Sequence, residues 1–373
     1  MTPIPAIPVL YYCYYLRVKS KRGHEGKKVS GGKFLQTLAG TRFPTPPIWL
    51  MRQAGRYLPE YRRVRATTRS FLEFCYTPDK AVEVTLQPIR RFGFDAAIIF
   101  SDILVIPDAL GQKVWFAEGE GPKLEALTDP AHFGQLSRAR LPEHLAPVYE
   151  AIKRTRAELP TETALLGFAG APFTLACYMI EGAGSRDFAK VKSWAFAHPE
   201  SFGLLIDLLS EAVVDHLCLQ IQAGADAVQL FDSWAGILPE EQLFRWSLEP
   251  LLRISQGVRA RHPDVPIIAF PRGVGPASLM YRRSDAFSAL SIDTNIGAHW
   301  ASQELQPKIC VQGNLDPLML VAGGAALEHE ARRILGKLGH GSYVFNLGHG
   351  VVPQTPPDHV ARLVEIVRSW TPS

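Results

Sequence analysis

Short, uninterrupted runs of apolar residues recur along the chain, and stretches with the apolar spacing of helices separate most of them. The runs are rich in Ile, Val, Leu, Ala and Phe. Because each run is apolar throughout and does not alternate with polar residues, it is typical of a parallel strand covered on both faces. The predicted strands are Ile48–Met51, Ala96–Phe100, Ala164–Phe168, Ala227–Phe231, Ile267–Phe270, Leu290–Ile292, Ile309–Val311 and Tyr343–Phe345.

The alternation of such strands with amphipathic helices predicts an α/β fold, and eight strands are the number that closes a (β/α)8 TIM barrel. No linker divides the chain, and the longest insertion, from Pro107 to about Glu162, has a helical pattern of its own. We therefore predict a single barrel domain over residues 33–373, with its active-site cleft at the C-terminal ends of the strands. The predicted helices are Asp79–Phe92, Gln135–Glu158, Ser201–Gln222, Glu240–Arg261, Pro317–Leu338 and Pro357–Trp370.

Composition narrows the class of protein. The 373 residues are 47% hydrophobic and 20% charged, enough apolar material to bury a large core. Forty basic residues against 36 acidic ones leave a net charge of +4, which is too small an excess to indicate a nucleic-acid partner. The five cysteines are scattered, with no C-x-x-C pair, and this usage predicts a reducing, cytoplasmic location.

Residues 1–32 differ from the predicted barrel. Val9–Leu16 is apolar and aromatic, and the basic segment Arg17–Lys28 follows it. A signal peptide has the opposite order, and a membrane-spanning helix needs about 20 apolar residues. We expect a disordered extension without integral membrane association. A weak contact of the apolar run with a membrane surface is the alternative.

The segment Met51–Arg69 contains six arginines, at positions 52, 56, 62, 63, 65 and 69. For Arg62, Arg63 and Arg69, a solvated helix face is the simpler interpretation. Arg52 and Arg56 instead follow the first predicted strand directly, in a turn where guanidinium groups can reach a ligand. Because arginine binds carboxylates through paired hydrogen bonds, these two residues suggest a ligand with several carboxylates.

Asp102 is a single carboxylate within the apolar sequence Ile98–Val105, at the end of the second predicted strand. A buried carboxylate without a partner is costly, so this position needs an explanation. A structural interpretation makes it a helix cap or an ion-pair partner. A functional interpretation makes it an acceptor for N–H groups of a ligand, or a group that stabilises positive charge.

Two glycine-containing turns follow other strand ends. Gly167–Thr174 permits close approach of the backbone to a ligand, but it lacks both the lysine of a P-loop and the spacing of a dinucleotide-binding turn. Tyr178 follows that turn and, taken alone, is more typical of a core position than of a site. His349 stands between two glycines, which disfavours a packed core, so we consider it a candidate functional histidine.

His216 and Cys218 form a His-x-Cys pair of the kind found in zinc sites of barrel methyltransferases. They fall inside a predicted helix and not at a strand end. Residues two apart on a helix do not face one another, and a zinc site would need a third ligand. We therefore predict that the pair belongs to the core or the surface and binds no metal.

Several segments together resemble the uroporphyrinogen decarboxylase family in order and spacing. The resemblance covers roughly residues 33–370 and is most specific in Met51–Arg62 and Gln312–Pro317. It implies an enzyme of tetrapyrrole biosynthesis, a carboxy-lyase that converts the four acetate side chains of uroporphyrinogen III to methyl groups and yields coproporphyrinogen III. The segments are PIWLMRQAGRYLPEYR, IIFSDIL, GFAGAPFTL, QLFDSWAG, QGNLDP and NLGHG.

The resemblance also implies roles for individual residues. Arg52 and Arg56 would bind or polarise substrate carboxylates, and Asp102 would accept the pyrrole N–H groups. The implied catalytic residues are Asp102, Arg52, Tyr178 and His349. The implied substrate-binding residues are Arg52, Gln53, Arg56, Arg65, Asp102, Phe168, Tyr178, Phe231, Ser233 and His349.

Two positions depart from the family pattern. The chain has Asp293-Thr294 where the family often has Asp-Trp, which leaves the role of Asp293 open. It has Phe173 where the family often has tryptophan, a conservative aromatic change. Neither departure falls on an implied catalytic residue.

Decarboxylation of a pyrrole acetate explains why neither a cofactor nor a metal is expected. Protonation of the adjacent pyrrole α-carbon creates a cation that accepts the electrons released with carbon dioxide, and protonation of the exocyclic carbon leaves a methyl group. A pre-placed carboxylate such as Asp102 would stabilise that cation. The first proton could come from Arg52, which is a very weak acid, from His349 or from water.

The resemblance further implies a homodimer. Two hypotheses from other classes stand beside the decarboxylase: a zinc-dependent methyltransferase on the same barrel, and a tetrapyrrole-binding protein without catalysis. Metal analysis discriminates the first from the decarboxylase, and a product assay discriminates the second.

Overall fold

A computed structural model of the protein describes residues 32–117, 121–283 and 285–372. Seven strands form one curled parallel sheet in the order β1-β4-β5-β6-β7-β8-β9, and β2 and β3 form a separate antiparallel hairpin. The strands are β1 Ala96–Ile98, β2 Val114–Ala117, β3 Gly121–Leu124, β4 Ala164–Gly170, β5 Ala227–Asp232, β6 Ile267–Pro271, β7 Ala289–Ser291, β8 Cys310–Leu315 and β9 Tyr343–Leu347.

The first predicted strand closes the sheet into a barrel. Ile48 forms a parallel bridge with Phe345 of β9, and the Phe345 N–H donates to the carbonyl of Pro47 at 2.8 Å. On the other edge, the N–H of Asp95, just before β1, donates to the Ile48 carbonyl at 3.0 Å. The Asp95 carboxylate accepts the Ile48 N–H at 2.8 Å. The Asp95 carboxylate thus takes the place of a backbone acceptor between the first strand and β1. With this strand in place the sheet closes, and the predicted (β/α)8 TIM barrel is confirmed.

Helices connect and surround the strands. The α-helices are Lys33–Leu38, Pro59–Arg65, Phe71–Cys75, Pro78–Phe92, Val105–Ala109, Leu141–His144, Ala146–Glu158, Pro172–Glu181, Ala189–Ala197, Pro199–Gln222, Glu240–Leu243, Glu249–Arg261, Ala298–Glu304, Pro317–Ala322, Gly324–Leu338 and Pro357–Ser369. Shorter 3-10 turns are Pro130–Gln135, Arg138–Arg140, Ala235–Ile237 and Gly275–Tyr281, and Phe244–Leu248 is a π-helical turn. Among these described helices, none is long and apolar enough to cross a membrane.

Three predicted helices are interrupted in the structure. Gln135–Glu158 begins as 3-10 turns and continues as two separate α-helices, Leu141–His144 and Ala146–Glu158. Each of these helices has a proline in its first turn. Glu240–Arg261 contains the π-helical turn. Pro317–Leu338 divides at Gly323, whose φ of +67° is not helical. The insertion after Pro107 also contains the β2–β3 hairpin, which the helical pattern did not predict.

The barrel interior holds a small polar network below an aromatic layer. Gln312 of β8 accepts a hydrogen bond from Trp49 Nε1 at 2.9 Å and donates to Gln229 Oε1 at 3.0 Å. Above Gln229, the ring of Phe231 lies 5.7 Å from Phe168 and 6.1 Å from Phe270, between ring centroids. The ring contacts therefore show that Phe168 of β4, Phe231 of β5 and Phe270 of β6 face the barrel interior.

The first helix of the described residues is Lys33–Leu38, which begins at the predicted domain boundary, and the domain division itself stays a prediction. The expectation of a disordered extension concerns residues that, apart from Gly32, lie outside the described part of the chain.

Candidate active site

Arg52 directly follows the first barrel strand and has an unusual backbone conformation. Its φ is +59°, in the left-handed region that non-glycine residues rarely adopt. The stem of Arg52 lies directly on Gly350, where a Cβ atom would be 2.3 Å from Arg52 Cδ. Gly350 therefore has to be a glycine for this arginine to lie across the loop that carries His349. The structure thus brings the NLGHG segment onto the arginine-rich turn.

Asp102 lies four residues beyond the end of β1, in the turn before the helix Val105–Ala109. Its Oδ1 accepts the Leu104 N–H at 2.8 Å, and Oδ2 makes no hydrogen bond within the described residues. Burial raises the pKa of Asp102 to about 6, and the nearby Arg52 guanidinium opposes that rise. The residue retains partial solvent access. One oxygen thus has the predicted structural role, and the other is free for a ligand.

Tyr178, Ser233 and the aromatic wall lie on neighbouring elements. Tyr178 belongs to the helix Pro172–Glu181, is half-buried, and has its ring centroid 6.2 Å from that of Trp234. Burial raises the pKa of Tyr178, and the negative charge of Asp102 raises it further. Ser233 follows the last residue of β5 and is half-buried. Below it, Phe231 retains partial access while Phe168 is buried.

The pKa of His349 reflects the positive charges around it. Its pKa is lowered to about 3 by burial, followed by the positive charges of Arg52 and Arg272. The imidazole is therefore neutral at physiological pH. Arg272, at the end of β6, was not among the predicted site residues, although the Pro-Arg-Gly sequence after a strand marked its position.

Of three further predicted contributors, two are held by local hydrogen bonds and one is not. Gln53 is fully buried, accepts the Leu50 N–H at 3.3 Å and donates to the carbonyl of Ala96 at 3.2 Å. Its amide joins the first strand to β1. Arg65 donates to Thr68 Oγ1 at 2.8 Å. Arg56 is exposed, with a side chain that makes no hydrogen bond in the described ranges.

Asp293, whose role the sequence left open, anchors two loops at the rim of the barrel. Its Oδ2 accepts the Gly273 N–H at 2.5 Å, and its Oδ1 accepts the Asn295 N–H at 2.8 Å. Gly348 packs against the same turn, because a Cβ there would lie 2.4 Å from Thr294 N. The carboxylate thus positions the segments that follow β6 and β7, next to the loop that carries His349.

Asp232 ends β5 and faces the helices, away from the cleft. It is fully buried and accepts hydrogen bonds from Ser247 and from Thr174 Oγ1, the latter at 2.6 Å. The Trp234 N–H donates to Thr174 Oγ1 at 3.2 Å. Burial raises the pKa of Asp232 to about 6. This network fixes the turn that carries Ser233 and Trp234.

The His-x-Cys pair belongs to the core, as predicted. His216 is buried in the helix Pro199–Gln222, and its Nδ1 lies 3.0 Å from the hydroxyl oxygen of Tyr149. Burial lowers the pKa of His216 to about 3. Cys218 is also buried and free. Within the described residues, no group of three His, Cys, Asp or Glu side chains is arranged to hold a metal.

The fold is that of a TIM-barrel enzyme, and the candidate site residues Arg52, Asp102 and His349 follow the C-terminal ends of its strands. The family model described as "Uroporphyrinogen decarboxylase (URO-D)" matches residues 31–370. The chain belongs to the uroporphyrinogen decarboxylase family, an enzyme family of carboxy-lyases.

Curated relatives agree with the family model over nearly their full length. A protein named uroporphyrinogen decarboxylase from Rhodospirillum rubrum is 51% identical over 336 residues, which are 90% of this chain and 97% of the relative. One of the same name from Sinorhizobium fredii is 52% identical, again over 90% of this chain and 97% of the relative.

A solved structure supports the fold. A methyltransferase from Methanosarcina mazei superimposes with a TM-score of 0.71 at 18% sequence identity, covering 90% of this chain and 97% of its own. At that identity the likeness concerns the barrel architecture alone.

Proposed function

We propose that this chain removes carbon dioxide from the four acetate side chains of uroporphyrinogen III, giving coproporphyrinogen III, without a metal or cofactor. The observation that carries the proposal is a single partly accessible carboxylate, Asp102, with one oxygen free, among the positive charges of a cleft that arginines line. A substrate with eight carboxylates requires cations around it, and a pyrrole cation requires one anion at the centre.

The proposed roles follow from this geometry. The free oxygen of Asp102 accepts pyrrole N–H groups and stabilises the cation formed when a ring carbon is protonated. Arg52 and Arg56 bind carboxylates of the substrate, and Tyr178 and Ser233 complete the wall of the cleft. The neutral imidazole of His349 becomes a proton donor only when bound carboxylates raise its pKa, because burial and the charge of Arg52 lower that pKa.

The other expectations enter as parts of the same proposal. We place the enzyme in the cytoplasm, where its buried free cysteines at positions 75, 177, 218 and 310 stay reduced. We also propose a homodimer, on the basis of the family. Light scattering at micromolar concentration tests this assembly, and a stable monomer would contradict it.

The experiment that tests the activity is anaerobic incubation of the purified full chain with uroporphyrinogen III. The products are then oxidised to porphyrins and separated by their number of carboxylates. We expect stepwise loss from eight carboxylates to four, with unchanged rates after treatment with a chelator. Loss of activity that zinc restores would favour the methyltransferase class, and tight binding without product would favour a non-catalytic binding protein.

A further inference from the structure

Arg272 is a second candidate ligand for substrate carboxylates. It follows β6, the central strand of the seven, whereas the strand before Arg52 closes the barrel between β9 and β1, so the two arginines follow strands on opposite sides of the barrel. The neighbour of Arg272 at the same level on β5 is Ser233, because Asp232 and Pro271 are paired in the sheet. Two backbone hydrogen bonds and one bond to a carboxylate fix the turn that Arg272 begins. The Arg272 N–H donates to the Asp232 carbonyl and the Gly236 N–H donates to the Arg272 carbonyl, both at 3.0 Å. The next N–H, of Gly273, is held by Asp293.

The register of the strands determines the direction of its side chain. Phe270 contacts the ring of Phe231 in the aromatic layer of the barrel interior. Side chains two residues apart on a strand point to the same face. Arg272 is the first residue of the turn after β6, but its N–H still donates to the Asp232 carbonyl in the strand ladder. Its side chain therefore leaves the backbone on the inward face, in line with that of Phe270. Asp232 and Pro271, which follow Phe231 and Phe270, face the helices.

The guanidinium of Arg272 has no local partner that would explain it. Arg272 is half-buried, and in residues 32–117, 121–283 and 285–372 its side chain makes no hydrogen bond and no ion pair. A charged side chain that is partly removed from water normally has an opposite charge nearby. Its positive charge, together with that of Arg52, instead helps to lower the pKa of His349, so two arginines act on the same histidine. An anionic ligand would relieve this excess of positive charge.

We infer that Arg272 is a carboxylate-binding residue of the cleft, which holds an acetate or propionate side chain of the substrate over the ring of Phe270. The inference rests on the proposed function for the identity of the ligand. Arg272 would bind the side chain of a pyrrole ring on the side of the cleft away from Arg52. Because such a contact is made equally before and during the reaction, it contributes to binding and not to the chemical step.

The test compares Arg272→Met, Arg272→Lys and the control Arg42→Met with the unmodified chain. Arg42 is exposed, lies before the first barrel strand at the opposite end of the barrel, and makes no hydrogen bond or ion pair with the described residues. We expect Arg272→Met to raise KM for uroporphyrinogen by about tenfold or more, the size of one charge-assisted pair, with kcat within about twofold. Arg272→Lys should recover part of that loss, and Arg42→Met should change neither constant.

A binding readout separates this inference from the proposed function. Quenching of tryptophan fluorescence by uroporphyrin, the oxidised compound with eight carboxylates, measures affinity without turnover. Weaker binding by Arg272→Met alone supports the inference, even if no product forms and the decarboxylase proposal fails. Unchanged affinity and unchanged KM in a folded Arg272→Met protein overturn the inference, whether or not the chain is a decarboxylase. Should the Met variant fail to fold, a KM or affinity of Arg272→Lys equal to that of the unmodified chain overturns it too.

Discussion

Replacement of Asp102 by asparagine tests the centre of the proposed mechanism. Asparagine keeps the shape of the side chain and can still accept the Leu104 N–H that Oδ1 binds at 2.8 Å. It loses the negative charge beside the developing pyrrole cation. At about 4 Å and an effective dielectric constant of about 20, that attraction is on the order of 4 kcal/mol. We expect kcat to fall by about 10²–10³-fold, the usual effect of removing one pre-organised electrostatic group.

The pH dependence adds a signature that a purely structural role would not produce. The pKa of Asp102 is about 6, above its ordinary value of 3.8. The carboxylate is thus ionised above pH 6 and protonated below it, so kcat/KM of the unmodified chain should fall about tenfold per pH unit below pH 6. In Asp102→Asn this fall should be absent, because the group that titrates has been removed.

The assay is steady-state decarboxylation between pH 5 and 8, with thermal melting of both proteins. Folding of Asp102→Asn should be preserved, because the variant no longer has to bury a charge. A variant that keeps more than about a third of the normal kcat would refute the charge-stabilising role, and Asp102 would then be a structural cap. A fall in activity that a fall in the melting temperature of the variant accounts for would point to the same conclusion.

Three further predictions concern stability. Since the folded pKa of Asp232, about 6, exceeds its ordinary value of 3.8, the unmodified chain should lose stability relative to Asp232→Asn as pH rises from about 4 through 6. The change should reach about 3 kcal/mol at most. Urea unfolding at pH 4 and pH 7.5 measures the free energy of unfolding of both proteins, and a difference between them that is the same at both pH values would contradict the prediction. Gly348→Ala should destabilise the protein by about 1–3 kcal/mol, because its Cβ would meet Thr294 N at 2.4 Å. The matched control is Gly336→Ala, in a helix where an added Cβ would have no atom within 4 Å, and it should stabilise the protein by about 0.5–1 kcal/mol. If the two substitutions shift the melting temperature in the same direction, the steric argument is wrong. Deletion of residues 1–30 should shift the melting temperature by less than about 5 °C, and a larger fall would mean that the segment packs on the barrel.

The sequence alone was sufficient for the barrel, and its short motifs contain the predicted site residues. Parallel strands covered on both faces are apolar throughout, so their number and order can be read from the chain. The turns after those strands hold Arg52, Asp102 and His349. In a barrel such turns meet at one end, which is why residues far apart in sequence could be assigned to one cleft.

Only the tertiary structure decided what each side chain does there. The amide of Gln53 is occupied by backbone groups, and Asp293 anchors two loops. Arg272 comes two residues after Phe270, and its N–H extends the ladder between β5 and β6 by one hydrogen bond past Pro271. Such assignments depend on pairing between strands and on approach distances of a few ångströms. Local residue patterns do not encode these distances, because they arise only when the barrel closes.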